Sequence, residues 1–374
     1  VCVGLVLAGH TAAFAAEESP PEEPPAKKKG LFSRILPIPI FITEPAVGYG
    51  LGAAIGYFHQ RKGESDEPSL TSPAFTAGTT PNDDSEGKKR PPNITGVAGA
   101  KTENGTWGAG IGHSASWKDD RIRYVGALGY AHVITDFYLF DLPLAFDLEG
   151  LMFLQDIKFR VRGSDFFVGV KGFALDADLA LELDLLEDPE QFATGKSRNL
   201  GLAVQAVYDS RDNTFTPNYG QNFTLELWRY DKGLGGNYDY WSTNLKLLSF
   251  HQLHEKFVLG FRFDFKAVDG RPPIYGYPWI TLRGIPALRY QNETAGVFEI
   301  EGRWTVLPKW GLIGFVGKGE VDGDLPFFET RDDILAGGAG IRYLFMPDQS
   351  LWVGIDYAVG PEKKTWYLQA GHAW

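Results

Sequence analysis

From Val47 onward the chain places Val47, Tyr49, Leu51, Ala53, Ile55 and Tyr57 on one set of alternate positions, and Gly48, Gly50, Gly52, Ala54 and Gly56 on the other. Successive side chains of a strand point to opposite faces, so this period of two predicts a strand that is apolar on one face and nearly bare on the other. The alternation recurs to the end of the chain, where the second face is often charged. Ile157, Phe159 and Val161 are interleaved with Asp156, Lys158, Arg160 and Arg162, and Phe261, Phe263 and Phe265 with Arg262, Asp264 and Lys266. Phe298, Ile300 and Trp304 are backed by Glu299, Glu301 and Arg303; Ile341 and Tyr343 by Arg342; Ile355 and Tyr357 by Asp356. About sixteen such strands are predicted.

A water-soluble barrel would turn the apolar face inward. A membrane barrel turns it to lipid and lines its lumen with the charges. Connection lengths separate the two. Short links are expected at Glu103-Asn104-Gly105, Thr135-Asp136, Gly163-Ser164, 253–256, Pro308-Lys309 and 346–349, with a somewhat longer one over 209–219. They interleave with longer intervals at 60–92, 176–198, 269–296 and 320–334, which puts every long loop on one rim. The expected fold is therefore all-β: a transmembrane antiparallel β-barrel of about sixteen strands.

Composition agrees with this pattern. Of 374 residues 45 are Gly and 14% are aromatic, which suits tight turns and strands. Mean hydropathy is −0.18, and no apolar run is long enough for a membrane helix. The net charge of −11 removes the electrostatic footprint needed for nucleic acid. Val1 to Ala16 reads as the apolar and cleavage regions of a secretory signal with a truncated start, ending in Ala13-Phe14-Ala15. The single Cys, Cys2, lies inside it, so the exported chain would hold no disulfide. Residues 17–36 contain the Pro-rich, charged stretch EESPPEEPPAKKKG and are expected to form a periplasmic linker, leaving 37–374 for the barrel.

Candidate chemistry is sparse. His113 and Ser114 are adjacent in sequence, so on a strand they face opposite ways and cannot form a nucleophile and base. No other His spacing suggests a metal centre beyond the weak pair His251 and His254 at a turn. Asp322-Gly323-Asp324 lacks the rest of a Ca²⁺ loop. No catalytic residue, metal site or cofactor is expected.

Four places resemble the bacterial surface antigen superfamily of outer-membrane assembly and translocation barrels, BamA and TamA among them. PIPIFITEPAVGYGLGAAIGYF, from Pro37 to Phe58, looks like the family's first barrel strand. Asp209, Arg211, Asp212, Pro217 and Gly220 match its D-x-R-D-x-x-x-x-P-x-x-G turn. Leu282-Arg283-Gly284 lies in the long loop between strands eleven and twelve, where the family carries a V/I-R-G-F/Y motif folded into the lumen. Gly371 to Trp374 supplies a G-x-x-aromatic end on a final strand, of the kind expected as an assembly signal.

The resemblance implies that this loop partly fills the lumen, pinned by Arg283 through bidentate bonds to a carboxylate. The family often supplies that carboxylate from F-x-D-x-G. Here the segment is Phe315-Val316-Gly317-Lys318-Gly319, so Glu299, Glu301 and Asp356, which share inward parity, are the expected partners. It further implies an outer membrane of a Gram-negative bacterium, both termini periplasmic, a lipopolysaccharide leaflet outside, and an unfolded barrel or secreted client. Family members carry periplasmic POTRA repeats before the barrel; with the Pro-rich linker in that place, a member lacking the repeats is expected. Gly48, Gly50 and Gly52 have two readings: room for close backbone approach, or a poorly registered seam against Thr365 to Trp374 that could open towards lipid. The alternative function is a passive porin or small-solute transporter; a hydrolase would need the dyad that is missing.

Overall fold

The computed structural model describes residues 35–59, 93–139, 142–182, 191–213, 216–325, 328, 330–346 and 351–374. The expected signal and linker therefore lie outside the described residues, apart from Ile35 and Leu36. Sixteen antiparallel strands form one sheet in sequence order. They are β1 Ile35–Glu44, β2 Gly48–Phe58, β3 Ile94–Thr102, β4 Trp107–Trp117, β5 Ile122–Leu139, β6 Leu142–Arg160, β7 Phe166–Glu182 and β8 Gln191–Asp209. After them come β9 Gly220–Tyr230, β10 Asp239–His254, β11 Phe257–Arg271, β12 Thr294–Leu307, β13 Trp310–Asp322, β14 Arg331–Met346, β15 Leu351–Val359 and β16 Lys364–Ala370. With an even strand count, Ile35 and Trp374 lie at the same end, called here the terminal rim.

Three turn expectations change. The single opening strand is a hairpin: β1 and β2 pair from Ile35↔Tyr57 to Glu44↔Gly48, so Ile35 and Leu36, expected in the linker, already belong to β1. Pro45 has no N–H to continue a ladder, and Gly48 takes φ +79° to leave the turn. Thr135-Asp136 is not a turn but lies inside β5; the missed turn is 118–121. It contains no Gly, Pro or Asn. Instead Lys118, Asp119 and Asp120 adopt φ values of +52°, +58° and +63°. The extra hairpin shifts parity, so 60–92 leaves from the terminal rim with the short turns, and Glu103-Asn104-Gly105 lies on the far rim. Long connections are thus not confined to one side. Most of 176–198 is strand as well, because β7 and β8 run on through it.

The strands invert a water-soluble barrel. Val168, Val170, Leu202 and Val204 are each more than half exposed on the outside. Asp156, Arg262, Asp264, Glu299, Arg342 and Asp356 are buried inside. Towards the far rim, β5–β8 reverse this. There Phe137, Leu144, Phe146, Leu175 and Ala177 point inward and are buried, while Asp176 and Arg198 pair in the open on the outer face at 3.0 Å. A membrane strand needs ~9–11 residues, and β5–β8 have 17–19. Their upper parts therefore form a canopy above the apolar band, packed over the lumen through Tyr275 against Phe146 and Phe328 against Phe137.

Candidate functional site

The connection from β11 to β12, residues 272–293, enters the barrel as an irregular hairpin, with Trp279 bridged to Gln291 and Ile280 N–H donating to Tyr290 O at 3.1 Å. Four prolines stiffen it. Its apolar side chains Ile280, Leu282, Ile285 and Tyr290 form a core with Ala295, Val297, Val321, Ile334 and Ala336 of β12–β14. Burying each Ile or Leu of this kind stabilises by about 1.5–3 kcal/mol. Glycines make the seats: a Cβ on Gly317 would lie 2.5 Å from Leu282, and one on Gly319 would lie 2.8 Å from Ile280. The motif turns tightly at Gly284, φ +94°, against Gly360.

This turn delivers Arg283 into a buried cluster. Its Nε donates to Glu299 Oε1 at 3.1 Å, Nη1 to Asp356 at 2.9 Å, and Nη2 to both Glu299 and Glu301, the latter at 2.8 Å. The guanidinium stacks on Phe315, 3.5 Å from the ring centroid. Arg262 donates to Asp264, to Glu299 at 3.3 Å and to Thr281 O at 3.0 Å, while Arg342 bridges to Asp356. Three guanidiniums thus meet four carboxylates, which leaves few of these charges without a partner. The three carboxylates named from parity all reach Arg283. Arg262, Asp264 and Arg342 were legible only as inward charges, because their convergence depends on the path of the loop.

At the terminal rim the turn 210–219 also folds inward. Pro217 is fully buried, and its carbonyl accepts from Arg303 of β12. Asp209 binds Arg211 at 2.8 Å and Arg123 at 3.3 Å. Asp212 Oδ1 accepts from the Asn218 and Tyr219 amides at 3.0 and 3.3 Å; burial pushes its pKa up, and those amides only partly offset this. Gly220 has φ +101°, and a Cβ there would lie 2.5 Å from Ser210 O. The motif is therefore a compact inward turn.

The neighbouring turn 118–121 depends on one carboxylate. Asp120 accepts from Ser116 Oγ at 2.7 Å and from Arg123 at 2.8 and 2.7 Å, and it also pairs with Arg160. Burial alone would raise its pKa, but these donors outweigh it and hold the pKa below the ordinary value. A depressed carboxylate stabilises the fold above the unfolded pKa of about 3.9, and that contribution is lost as pH falls through the lower folded value. Acid unfolding of an Asp120→Asn variant is expected to start from a lower stability at neutral pH and to show a shallower loss below pH ~4. Heat-modifiable gel migration across a pH series measures both; parallel curves would remove the assignment.

The seam is open. No ladder joins β1 to β16 among the described residues, although the two lie side by side. Pro37 and Pro39 share one edge of β1 and cannot donate across it, a placement suited to an edge strand. The loop spans the seam from inside: Ala287 N–H donates to Glu44 of β1 at 3.1 Å, and Gly284 N–H to Tyr367 Oη of β16 at 2.8 Å. At Gly50 and Gly52, a Cβ would lie 2.6 Å from Lys101 O and 2.4 Å from Gly99 O, so both sit at close backbone approaches to β3. Gly371 and Trp374 do not extend the final strand. β16 ends at Ala370, Gly371 turns with φ +83°, and the Trp374 ring lies in the lumen over Gly260 and 5.8 Å from Phe250.

No protein family and no curated protein matches the sequence. Solved structures match the fold. BamA from Haemophilus ducreyi lacking POTRA domains 1–3 superposes with a TM-score of 0.58 at 11% identity, covering 90% of this chain and 69% of that one. CdiB from Acinetobacter baumannii gives 0.53 at 12% identity, over 89% of this chain and 57% of its own. CdiB from Escherichia coli gives 0.58 at 10% identity, over 90% and 62%. The chain has the sixteen-stranded barrel fold of these proteins.

Proposed function

We propose that this barrel sits in the outer membrane of a Gram-negative bacterium and assists insertion or translocation of an unfolded barrel or secreted client. Both termini would be periplasmic, reached through an export signal over 1–16 and a linker over 17–36, with the far rim on the outer, lipopolysaccharide side. The observation that carries this reading is the loop 272–293 held inside the lumen by Arg283. A lumen filled in this way suits a barrel that works through its wall and seam better than one that conducts solutes. The fold shared with BamA and CdiB supports the same direction. The chemistry of the site is that of a clamp, with guanidiniums pinned between carboxylates.

The test is reconstitution in liposomes with an unfolded outer-membrane barrel as client. Client folding is expected to be faster with this protein than without it, and slower again when Arg283 is replaced by Ala; equal rates with and without the protein would defeat the proposal. In planar bilayers the same preparation is expected to give small conductance that rises on deletion of 272–293. A steady, large conductance from the intact protein would favour the passive pore.

A further inference from the structure

His59, next after β2, and His113 of β4 lie on either side of Thr95 of β3. By strand parity with Ile55, Val97 and Ile111, all exposed, the three side chains face outward, away from the clamp. Thr95 Oγ1 is 2.7 Å from His59 Nε2 and 2.7 Å from His113 Nδ1. The rings meet edge to face with centroids 5.5 Å apart. Tyr57 packs 5.0 Å from His59, and Tyr124 lies 6.1 Å from His113. A hydroxyl has one proton and two acceptor sites, so Thr95 donates to at most one of the two ring nitrogens and accepts from at least one. Two imidazole nitrogens from strands that do not pair with each other therefore converge on one point. Nothing in the proposed function uses them.

We propose that His59, His113 and Thr95 form a surface site for a late first-row divalent metal ion, with Cu²⁺ preferred over Zn²⁺. The two nitrogens are no more than 5.4 Å apart, the sum of the two 2.7 Å contacts. A metal with bonds of about 2.0–2.1 Å needs them within about 4.2 Å. Rotation of the exposed His59 ring covers the difference. Both imidazoles bind in the neutral form, and a ring that donates to Thr95 must first carry its proton on its other nitrogen. Among the described residues no set of three or more His, Cys or carboxylate ligands exists. The remaining positions therefore fall to the Thr95 hydroxyl and water, an open site. Imidazole ligation favours Cu²⁺ over Zn²⁺ by the general order of divalent affinities. A bound ion would fasten β2 to β4 across β3.

The test is titration of the purified barrel in detergent with Cu²⁺ and with Zn²⁺, in a buffer that does not chelate. One equivalent of Cu²⁺ is expected to bind with a two-nitrogen signature in electron paramagnetic resonance and to raise the unfolding temperature. His59→Ala or His113→Ala removes both effects, Thr95→Val weakens binding by about 10–100-fold, and a His251→Ala/His254→Ala control changes neither. Native folding of each variant is checked by heat-modifiable migration, and the spectrum of the unaltered protein stands as the second readout. Absence of a two-nitrogen signal in the unaltered protein, or its persistence in the His59→Ala/His113→Ala double variant, overturns the site.

Discussion

An Arg283→Ala variant is expected to lose about 3–5 kcal/mol of stability, the cost of leaving buried carboxylates without their cation. Glu299, Glu301 and Asp356 all accept from this one guanidinium, and Glu299 and Asp356 keep only Arg262 and Arg342 once it is gone. The loop should then leave the lumen, since the ion pairs anchor its tip. An Arg283→Lys variant restores the charge without the planar fork, and recovers part of the loss at most. The measurements are the temperature at which the folded band disappears on a heated gel and the single-channel conductance. An Arg283→Ala protein that keeps both values of the parent would show that the apolar core holds the loop alone.

Gly317→Asp is expected to be as damaging, although it restores the residue that the surface antigen pattern carries there. Its Cβ would lie 2.5 Å from Leu282 and 3.3 Å from the Glu299 Cβ. The new carboxylate would displace the loop's apolar seat and add a fifth negative charge beside the cluster. A loss of at least about 3 kcal/mol follows from overpacking and an uncompensated buried charge together. Gly317→Ala separates the two, because it brings the steric conflict without the charge. Heated-gel stability should rank the parent above the Ala variant and the Ala variant above Asp; an Asp variant as stable as the parent would mean that the carboxylate can join the Arg283 cluster in place of Leu282.

Much of this fold was legible because a membrane barrel writes itself in period two. The outward positions Phe298, Ile341 and Ile355, and the inward charges Glu299, Glu301 and Asp356, needed only parity. The turn at 118–121 was hidden because its left-handed residues are Lys and Asp, held by Asp120 contacts that no local pattern reveals. Overlooking that turn and splitting β5 at Thr135 left the expected count of about sixteen strands in agreement with the structure while misplacing which links share a rim. The inward course of Trp374 was hidden for a different reason: an aromatic at the end of an alternating run looks the same whether the strand continues or Gly371 turns it away. The site was legible in its charges and not in its packing, since the glycine seats at Gly317 and Gly319 acquire meaning only once Leu282 and Ile280 are known to lie over them.

The loop's grip on both Glu44 and Tyr367 has a thermodynamic consequence. Among the described residues β1 and β16 share no ladder, so contacts to a common third element, each bond worth about 0.5–1.5 kcal/mol, help to join them from within. Any ligand that parts the two strands must weaken the loop's hold by the same factor by which release of the loop weakens the seam. Seam and clamp are two readouts of one coupling free energy, and an affinity measured at either reports on the other.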